Sequence, residues 1–301
     1  MSADVVNERG VGVTARRLLV ASRPVSWINT AFPFAAAYLV TTGRIDAAFV
    51  IGTIFFLVPY NLAMYGINDV FDYASDLANP RKGGLEGALL DRRLHRTTLV
   101  AAIGLAVPFV VALVILGSPA SWVVLAVVLF MVAAYSVPGL RFKEVPFLDS
   151  LTSSCHFTGP AVYGLVLAGA VFTPQLIALL AAFLLWGVAS HAFGAVQDVV
   201  PDRAGGIRSI ATAIGARATV RFAIVSWLAA GLLMLLTEWP GPLAAVLVLP
   251  YIATASPYWS ISDEQSGKAN RGWRRFLWIN YASGFVVTLL LIAFALGGGA
   301  G

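Results

Sequence analysis

An acidic motif follows the apolar segment at residues 49–67, which is long enough to form a membrane-spanning helix. The motif NDVFDYASD contains Asn68, Asp69, Asp72 and Asp76. On a helix, three aspartates at positions i, i+3 and i+7 share one face. A carboxylate at membrane depth costs roughly 2.5–3.5 kcal/mol on insertion scales, and such residues usually serve a function. The spacing therefore predicts a cavity lined by carboxylates at one end of this helix.

A second acidic pair follows another apolar segment, at residues 176–196. Asp198 and Asp202 are spaced i, i+4. On the helix that precedes the first motif, Asn61 and Tyr65 extend the polar face into the membrane. Acids that converge on one cavity repel one another unless cations lie between them, and hard oxygen ligands suit Mg²⁺. Because Mg²⁺ usually joins carboxylates to substrate phosphates, we expect the two motifs to hold a diphosphate through metal ions. The alternative is that these acids are solvated residues at helix ends.

Cationic and aromatic side chains near the acids are candidates for binding this substrate. A departing diphosphate requires positive charge opposite it, which Arg or Lys can supply, and an aromatic face can shield an allylic cation. The candidates are Tyr65, Arg81, Lys82, Tyr135, Arg141, Lys143 and Arg208. The alternative for the cations is that they set the membrane topology and contact lipid phosphates. His156 and His191 are interpreted as hydrogen-bonded packing residues.

The composition is that of a membrane protein, with 59% hydrophobic residues, 12% charged residues and a mean hydropathy of +0.82. Nine apolar segments are long enough to cross a bilayer. Their approximate ranges are 25–43, 46–68, 97–116, 119–137, 148–171, 174–197, 217–237, 241–258 and 275–296. The sequence therefore predicts an all-α polytopic bundle around a central cavity, in one domain that covers residues 1–301.

The distribution of Lys and Arg predicts the orientation of the chain. All of these residues except Arg44 lie before the first span or in and beside the loops that follow the even-numbered spans. The positive-inside rule then places residues 1–20 and both acidic motifs in the cytoplasm, in a multi-pass protein of the cell membrane. The net charge of +5 is explained by this bias and by attraction for lipid headgroups and a phosphorylated substrate. Nucleic acid is not an expected partner.

Together, the spans, the NDxxDxxxD pattern at residues 68–76 and the DxxxD pattern at residues 198–202 resemble the UbiA superfamily of intramembrane prenyltransferases. The likeness covers nearly the whole chain and is strongest to the lycopene elongase/hydratase subgroup, which acts in fifty-carbon carotenoid synthesis. It includes the segments SRPVSWINTAFPFAAAYL, RFKEVPFLDSLTSSCHFTGPA and NRGWRRFLWINY. The resemblance implies an enzyme whose active site lies at the two acidic motifs.

The resemblance also implies a ligand set and a reaction. The residues that would bind Mg²⁺ and the diphosphate of dimethylallyl diphosphate are Asp69, Asp72, Asp76, Asp198 and Asp202, with Asn68 in the same motif. The implied acceptor is an end of lycopene, and hydration would give acyclic C45 or C50 carotenoids such as flavuxanthin or a bacterioruberin precursor. A carotenoid cyclase would be a downstream partner. One departure is Ala195, where many members carry an acid, so metal binding from that side would rest on two carboxylates.

Three alternatives remain open. UbiA-type transfer to a quinone precursor, a lipid glycerol or a polyprenyl phosphate would use the same two motifs. A transporter with intramembrane acids as ion relays would predict inverted repeats or helices broken at the bilayer midplane, whereas these acids cluster at the cytoplasmic ends. A non-catalytic scaffold or carotenoid-binding protein would not require the five acids, whose insertion at membrane depth is energetically unfavourable.

Overall fold

The computed structural model describes residues 11–73 and 90–297, and every regular element within these two ranges is a helix. The α-helices are α1 (Val11–Ala21), α2 (Ile28–Thr42), α3 (Ala47–Leu57), α4 (Pro59–Phe71), α5 (His95–Leu116), α6 (Pro119–Ser136), α7 (Leu148–Leu167), α8 (Pro174–Val196), α9 (Val199–Ala204), α10 (Ile210–Ile214), α11 (Ala216–Met234), α12 (Val248–Ala255) and α13 (Asn270–Leu296). Short 3₁₀ helices occupy Pro24–Ser26, Arg92–Leu94, Phe142–Glu144, Gly241–Leu247, Ser256–Tyr258 and Asp263–Ala269. The prediction of an all-α fold is confirmed.

Within the described ranges, seven helical segments are long and apolar enough to cross a membrane. They are Ala47–Phe71, Arg92–Leu116, Pro119–Ser136, Pro174–Val196, Ala216–Met234, Gly241–Tyr258 and Asp263–Leu296. The other two predicted spans coincide with α2, which has only 15 residues, and with α7, which has 20 residues but is rich in Ser and Thr. Multi-pass membrane character is therefore supported by seven segments, whereas the count of nine stays a prediction.

The second predicted span is broken between α3 and α4, directly before Pro59. A proline cannot donate a backbone hydrogen bond, so carbonyl groups one turn earlier need other donors. The Asn61 side-chain amide donates to the carbonyl oxygens of Phe56 at 2.8 Å and Leu57 at 3.0 Å. It also donates to the Thr30 hydroxyl on α2, at 2.7 Å. Asn61 therefore supplies hydrogen-bond donors to the carbonyl groups at this helix break. The sequence predicted that Asn61 extends a polar cavity face, whereas its side chain is fully buried.

The helices form two apolar clusters that meet at α7 and α8. In the first cluster, helices α2 to α7 surround stacked and tilted aromatic rings that include Phe34 and Phe56. In the second, helices α8 to α13 surround Trp227 and Phe276. Helix α7 packs on α2, α6 and α8, while α8 packs on α7 and α11. Because α4 ends in the first acidic motif and α8 ends in the second, this packing decides how the motifs face each other.

Close packing of α2 on α7 depends on Gly164, where a Cβ atom would lie 2.8 Å from the carbonyl oxygen of Phe34. We expect Gly164→Ala to lower the free energy of unfolding by about 1–3 kcal/mol, because the two backbones must separate. Gly104→Ala on α5 is the matched control, since a Cβ there has no heavy atom within 4 Å. The measurement is the thermal unfolding midpoint in detergent. Equal midpoints for the two variants would contradict the packing argument.

Candidate active site

The first acidic motif lies at the end of α4, where Asp69 is only 2% exposed. Its Oδ1 accepts a hydrogen bond from Arg23 Nη2 at 2.9 Å, and the Arg23 guanidinium lies 4.3 Å from the centre of the Tyr65 ring. Arg23 has a φ of 52°, and this left-handed conformation directly before Pro24 costs about 1–3 kcal/mol. The loop between α1 and α2 therefore presents a cation to the first motif at the expense of backbone strain.

Asp72 follows α4 as its C-cap and is also buried. Its Oδ1 accepts a hydrogen bond from Lys143 Nζ, and Arg141 Nη2 lies 3.8 Å from the same oxygen. Arg141 also pairs with Glu144, its neighbour in the turn between α6 and α7. The fold thus brings together Asp72, Arg141 and Lys143, three of the site residues predicted from sequence.

Lys143 lies between the two acidic motifs. Burial lowers the pKa of Lys143 to about 8, and the negative charges of Glu144, Asp69 and Asp202 oppose this shift. The ammonium group is therefore within electrostatic range of an acid from each motif, because Asp69 belongs to the first and Asp202 to the second.

The second acidic motif spans the end of α8 and the short helix α9, and both Asp198 and Asp202 are half-buried. Gln197 Oε1, directly before Asp198, accepts a hydrogen bond from Asn270 Nδ2 at 2.5 Å. Gln197 Nε2 donates to the Gly194 carbonyl at 3.0 Å. These contacts attach the start of the second motif to α8 and to the first residue of α13.

Asp263 holds the other end of the second motif. Its Oδ2 accepts a hydrogen bond from Arg203, the neighbour of Asp202, at 2.6 Å, and its Oδ1 accepts one from the Ala216 backbone amide at 2.7 Å. Asp263 therefore anchors α9 and the start of α11.

Polar side chains connect α4, α6, α7 and α8 beside the acids. Asn68 Oδ1 accepts a hydrogen bond from Ser136 Oγ at 2.8 Å. The Tyr135 hydroxyl lies 3.3 Å from His191 Nε2, and His191 Nδ1 lies 3.0 Å from Ser150 Oγ. The interpretation of His191 as a hydrogen-bonded residue is confirmed.

Asp149 and Arg23 are two residues of this region that the sequence analysis missed. Asp149 is fully buried, and its Oδ1 and Oδ2 accept hydrogen bonds at 2.7 Å from the backbone amides of Ser150 and Ile210. It thereby fixes the start of α10 against α7. An acid at the start of an apolar segment was the available signal for Asp149, and an Arg-Pro pair before the first span was the signal for Arg23.

The structure does not test the roles of four predicted site residues. Asp76, Arg81 and Lys82 lie outside the described residues. Arg208 is described, and its side chain is exposed in the loop between α9 and α10. The roles of these four residues in binding the substrate or the metal stay predictions.

The carboxylates of the two motifs are the candidate ligands for a metal ion. Within the part of the chain that the structure describes, no group of three or more His, Cys, Asp or Glu side chains could hold a metal ion by itself. The available donors are the carboxylates of Asp69, Asp72, Asp198 and Asp202, a type of ligand that Mg²⁺ prefers. Because Mg²⁺ commonly binds one or two carboxylates together with substrate phosphates, this donor set fits Mg²⁺ shared with a diphosphate.

Related proteins share both the sequence and the fold. Residues 30–281 match the UbiA prenyltransferase family. The chain is 55% identical over 276 residues to the protein named C(50) beta-cyclic carotenoids biosynthesis protein LbtBC of Dietzia sp. (strain CQ4), a match that covers 91% of this chain and 64% of that relative. It is 49% identical over 278 residues to a lycopene elongase/hydratase of Corynebacterium glutamicum, covering 92% of this chain and 97% of the relative.

Solved structures show the same architecture. A UbiA homolog from Archaeoglobus fulgidus bound to GPP and Mg²⁺ superposes with a TM-score of 0.66 at 17% identity, over 89% of this chain and 99% of that one. A UbiA homolog from Aeropyrum pernix K1 superposes with a TM-score of 0.65 at 16% identity, over 88% and 98% of the two chains. The fold is that of the UbiA homologs, a bundle of helices. The chain belongs to the UbiA prenyltransferase family.

Lys143 is expected to be necessary for binding diphosphate. Lys143→Gln should weaken binding of inorganic diphosphate with Mg²⁺ by about 10–100-fold, because a charge-assisted hydrogen bond contributes about 1.5–3 kcal/mol. The measurement is the ligand-induced rise in the thermal unfolding midpoint, titrated with diphosphate. The same substitution at the exposed Lys268 is the control and should leave binding unchanged. Equal binding by the two variants would exclude this role for Lys143.

Proposed function

We propose that this protein transfers the dimethylallyl group of dimethylallyl diphosphate to an end of lycopene, in a Mg²⁺-dependent reaction that also adds water. The products would be acyclic C45 and C50 carotenoids such as flavuxanthin or a bacterioruberin precursor. The observation that carries the proposal is the position of Lys143, which pairs with Asp72 and interacts electrostatically with Asp202. The 49% identity to a lycopene elongase/hydratase supports the choice of acceptor.

The diphosphate would bind at the acidic motifs. Asp69, Asp72, Asp198 and Asp202 would hold Mg²⁺, with Asp76 completing the first motif. When bound, Mg²⁺ supplies the Lewis acid that neutralises the diphosphate and makes it a better leaving group.

Lys143 and Arg23 provide positive charge opposite that leaving group. Each now pairs with an acid of the first motif, Lys143 with Asp72 and Arg23 with Asp69. Asp69 and Asp72 would hold the metal, and Arg23 and Lys143 would then donate to phosphate oxygens of the substrate. Arg141, beside the same Asp72 oxygen, adds a further donor. The charges are therefore in place before the carbon–oxygen bond breaks, which is the condition for electrostatic stabilisation of the transition state.

Tyr65 and Tyr135 would shield the allylic cation that results. The Tyr65 ring already faces a cation, the Arg23 guanidinium at 4.3 Å, and Tyr135 lies near both of these residues. Asn68, held by Ser136, would orient the diphosphate end of the donor. The terminal double bond of lycopene then attacks the cation, which forms the new carbon–carbon bond and moves the positive charge to a tertiary carbon of the acceptor.

The membrane supplies the acceptor and receives the product. Lycopene carries no heteroatom, so it would enter from the bilayer, while the charged donor would enter from the side where the Lys and Arg residues lie. We assign that side to the cytoplasm and the protein to the cell membrane. An acyclic product would be the substrate of a carotenoid cyclase, in agreement with the name of the Dietzia relative.

The direct test is to incubate membranes that contain the protein with lycopene, dimethylallyl diphosphate and Mg²⁺, and to separate the pigments by chromatography and mass spectrometry. We expect products heavier by one or two five-carbon units, and we expect a chelator to abolish them. Asp72→Asn and Asp198→Asn should each lower turnover by at least about 100-fold, because ligands of the leaving group are lost.

Asp46→Asn is the matched control. Asp46 caps α3 by accepting a hydrogen bond from the Phe49 amide at 3.0 Å, in the loop between α2 and α3. Asparagine caps helices equally well, so this variant should keep full activity. Conversion of a quinone precursor, a lipid glycerol or a polyprenyl phosphate with lycopene unchanged would overturn the carotenoid assignment.

A further inference from the structure

His156 is a buried histidine in α7 whose environment differs from the one expected from sequence. Its side chain is 4% exposed, and neither Nδ1 nor Nε2 has a hydrogen-bond partner among the residues that the structure describes. Burial of an imidazole without a partner is unfavourable, because the polar nitrogens lose their hydrogen bonds to water. The interpretation of His156 as a hydrogen-bonded packing residue is therefore wrong for the described part of the chain.

Tyr135 joins His156 to the diphosphate end of the site. The two rings meet edge to face, with centroids 5.3 Å apart and an interplanar angle of 76°. The same tyrosine lies near Arg23 and Tyr65, and Arg23 pairs with Asp69 of the first acidic motif. His156 is thus placed beside the ring that would shield the allylic cation.

His191 provides an internal contrast to His156. Its Nε2 lies 3.3 Å from the Tyr135 hydroxyl, and its Nδ1 lies 3.0 Å from Ser150 Oγ. With both nitrogens engaged, His191 can orient Tyr135 but has no lone pair directed at a substrate. Of these two histidines, only His156 keeps its nitrogens available.

We propose that His156 is the catalytic base of the hydration step, an inference that rests on the proposed function. After the new carbon–carbon bond has formed, the positive charge lies on a tertiary carbon of the acceptor. The oxygen of a water molecule held by His156 forms a bond to that carbon, one O–H bond of the water breaks, and its proton moves to a ring nitrogen of His156. The product is a tertiary alcohol, and the imidazolium returns the proton to solvent before the next turnover.

The inference predicts a change in the partition between two products. Without His156 the tertiary cation would lose a proton from an adjacent carbon and give an alkene. We expect His156→Gln to retain carbon–carbon bond formation within about threefold and to lower the ratio of hydrated to alkene product by at least about tenfold. His191→Gln is the matched control, which should lower the total rate through Tyr135 but leave this ratio unchanged.

The assay is the same incubation with lycopene, dimethylallyl diphosphate and Mg²⁺, with both products quantified by mass spectrometry in H₂¹⁸O. A His156→Gln variant that elongates lycopene with an unchanged hydrated fraction would overturn the role of His156 and leave the proposed function intact. Failure of the unaltered protein to elongate lycopene would overturn both. Should His156→Gln not fold, His156→Asn is the second variant, which should show the same loss of hydrated product, and an unchanged hydrated fraction would contradict the inference.

Discussion

The structure depends on balancing carboxylate charge at the ends of membrane helices. Asp69 and Asp72 are almost completely buried, so each requires a cation within contact distance. Arg23 and Lys143 meet this requirement from two different loops, and Lys143 also interacts with Asp202 of the second motif. The same balance keeps acids of both motifs beside cations, and the proposed diphosphate site rests on this arrangement.

Polar groups inside the bundle are also satisfied by distant parts of the chain. Asn61 donates to the Thr30 hydroxyl on α2 as well as to carbonyl oxygens at the break before Pro59. Asp149 accepts a hydrogen bond from the amide of Ile210 on α10 as well as from that of Ser150. A buried amide or carboxylate without such partners would be costly in an apolar interior. These contacts hold α2 against α4 and α10 against α7, so they position the elements that carry the acidic motifs.

The site itself is assembled from both apolar clusters. Its first motif ends α4 in one cluster, and its second motif ends α8 in the other. The turn Phe142–Glu144 lies between α6 and α7 and brings Lys143 to the boundary. Helix α7 contributes Asp149, Ser150 and His156 to the same boundary, which explains why this helix is rich in polar residues although it lies in the bundle interior.

By itself, the sequence determined the membrane setting, the all-helical fold, the two acidic motifs and the family, because hydropathy and short spacings are local properties of the chain. It also gave Lys143 and Arg141 as cations near the acids that could bind the diphosphate, whereas their pairing with Asp72 came from the structure. The tertiary structure alone decided that Arg23 pairs with Asp69 and that Asp149 reaches the amide of Ile210, since these partners lie 46 and 61 residues apart. It likewise separated His191, which is hydrogen-bonded on both nitrogens, from His156. Such differences arise from packing between helices, which no spacing within one helix can specify.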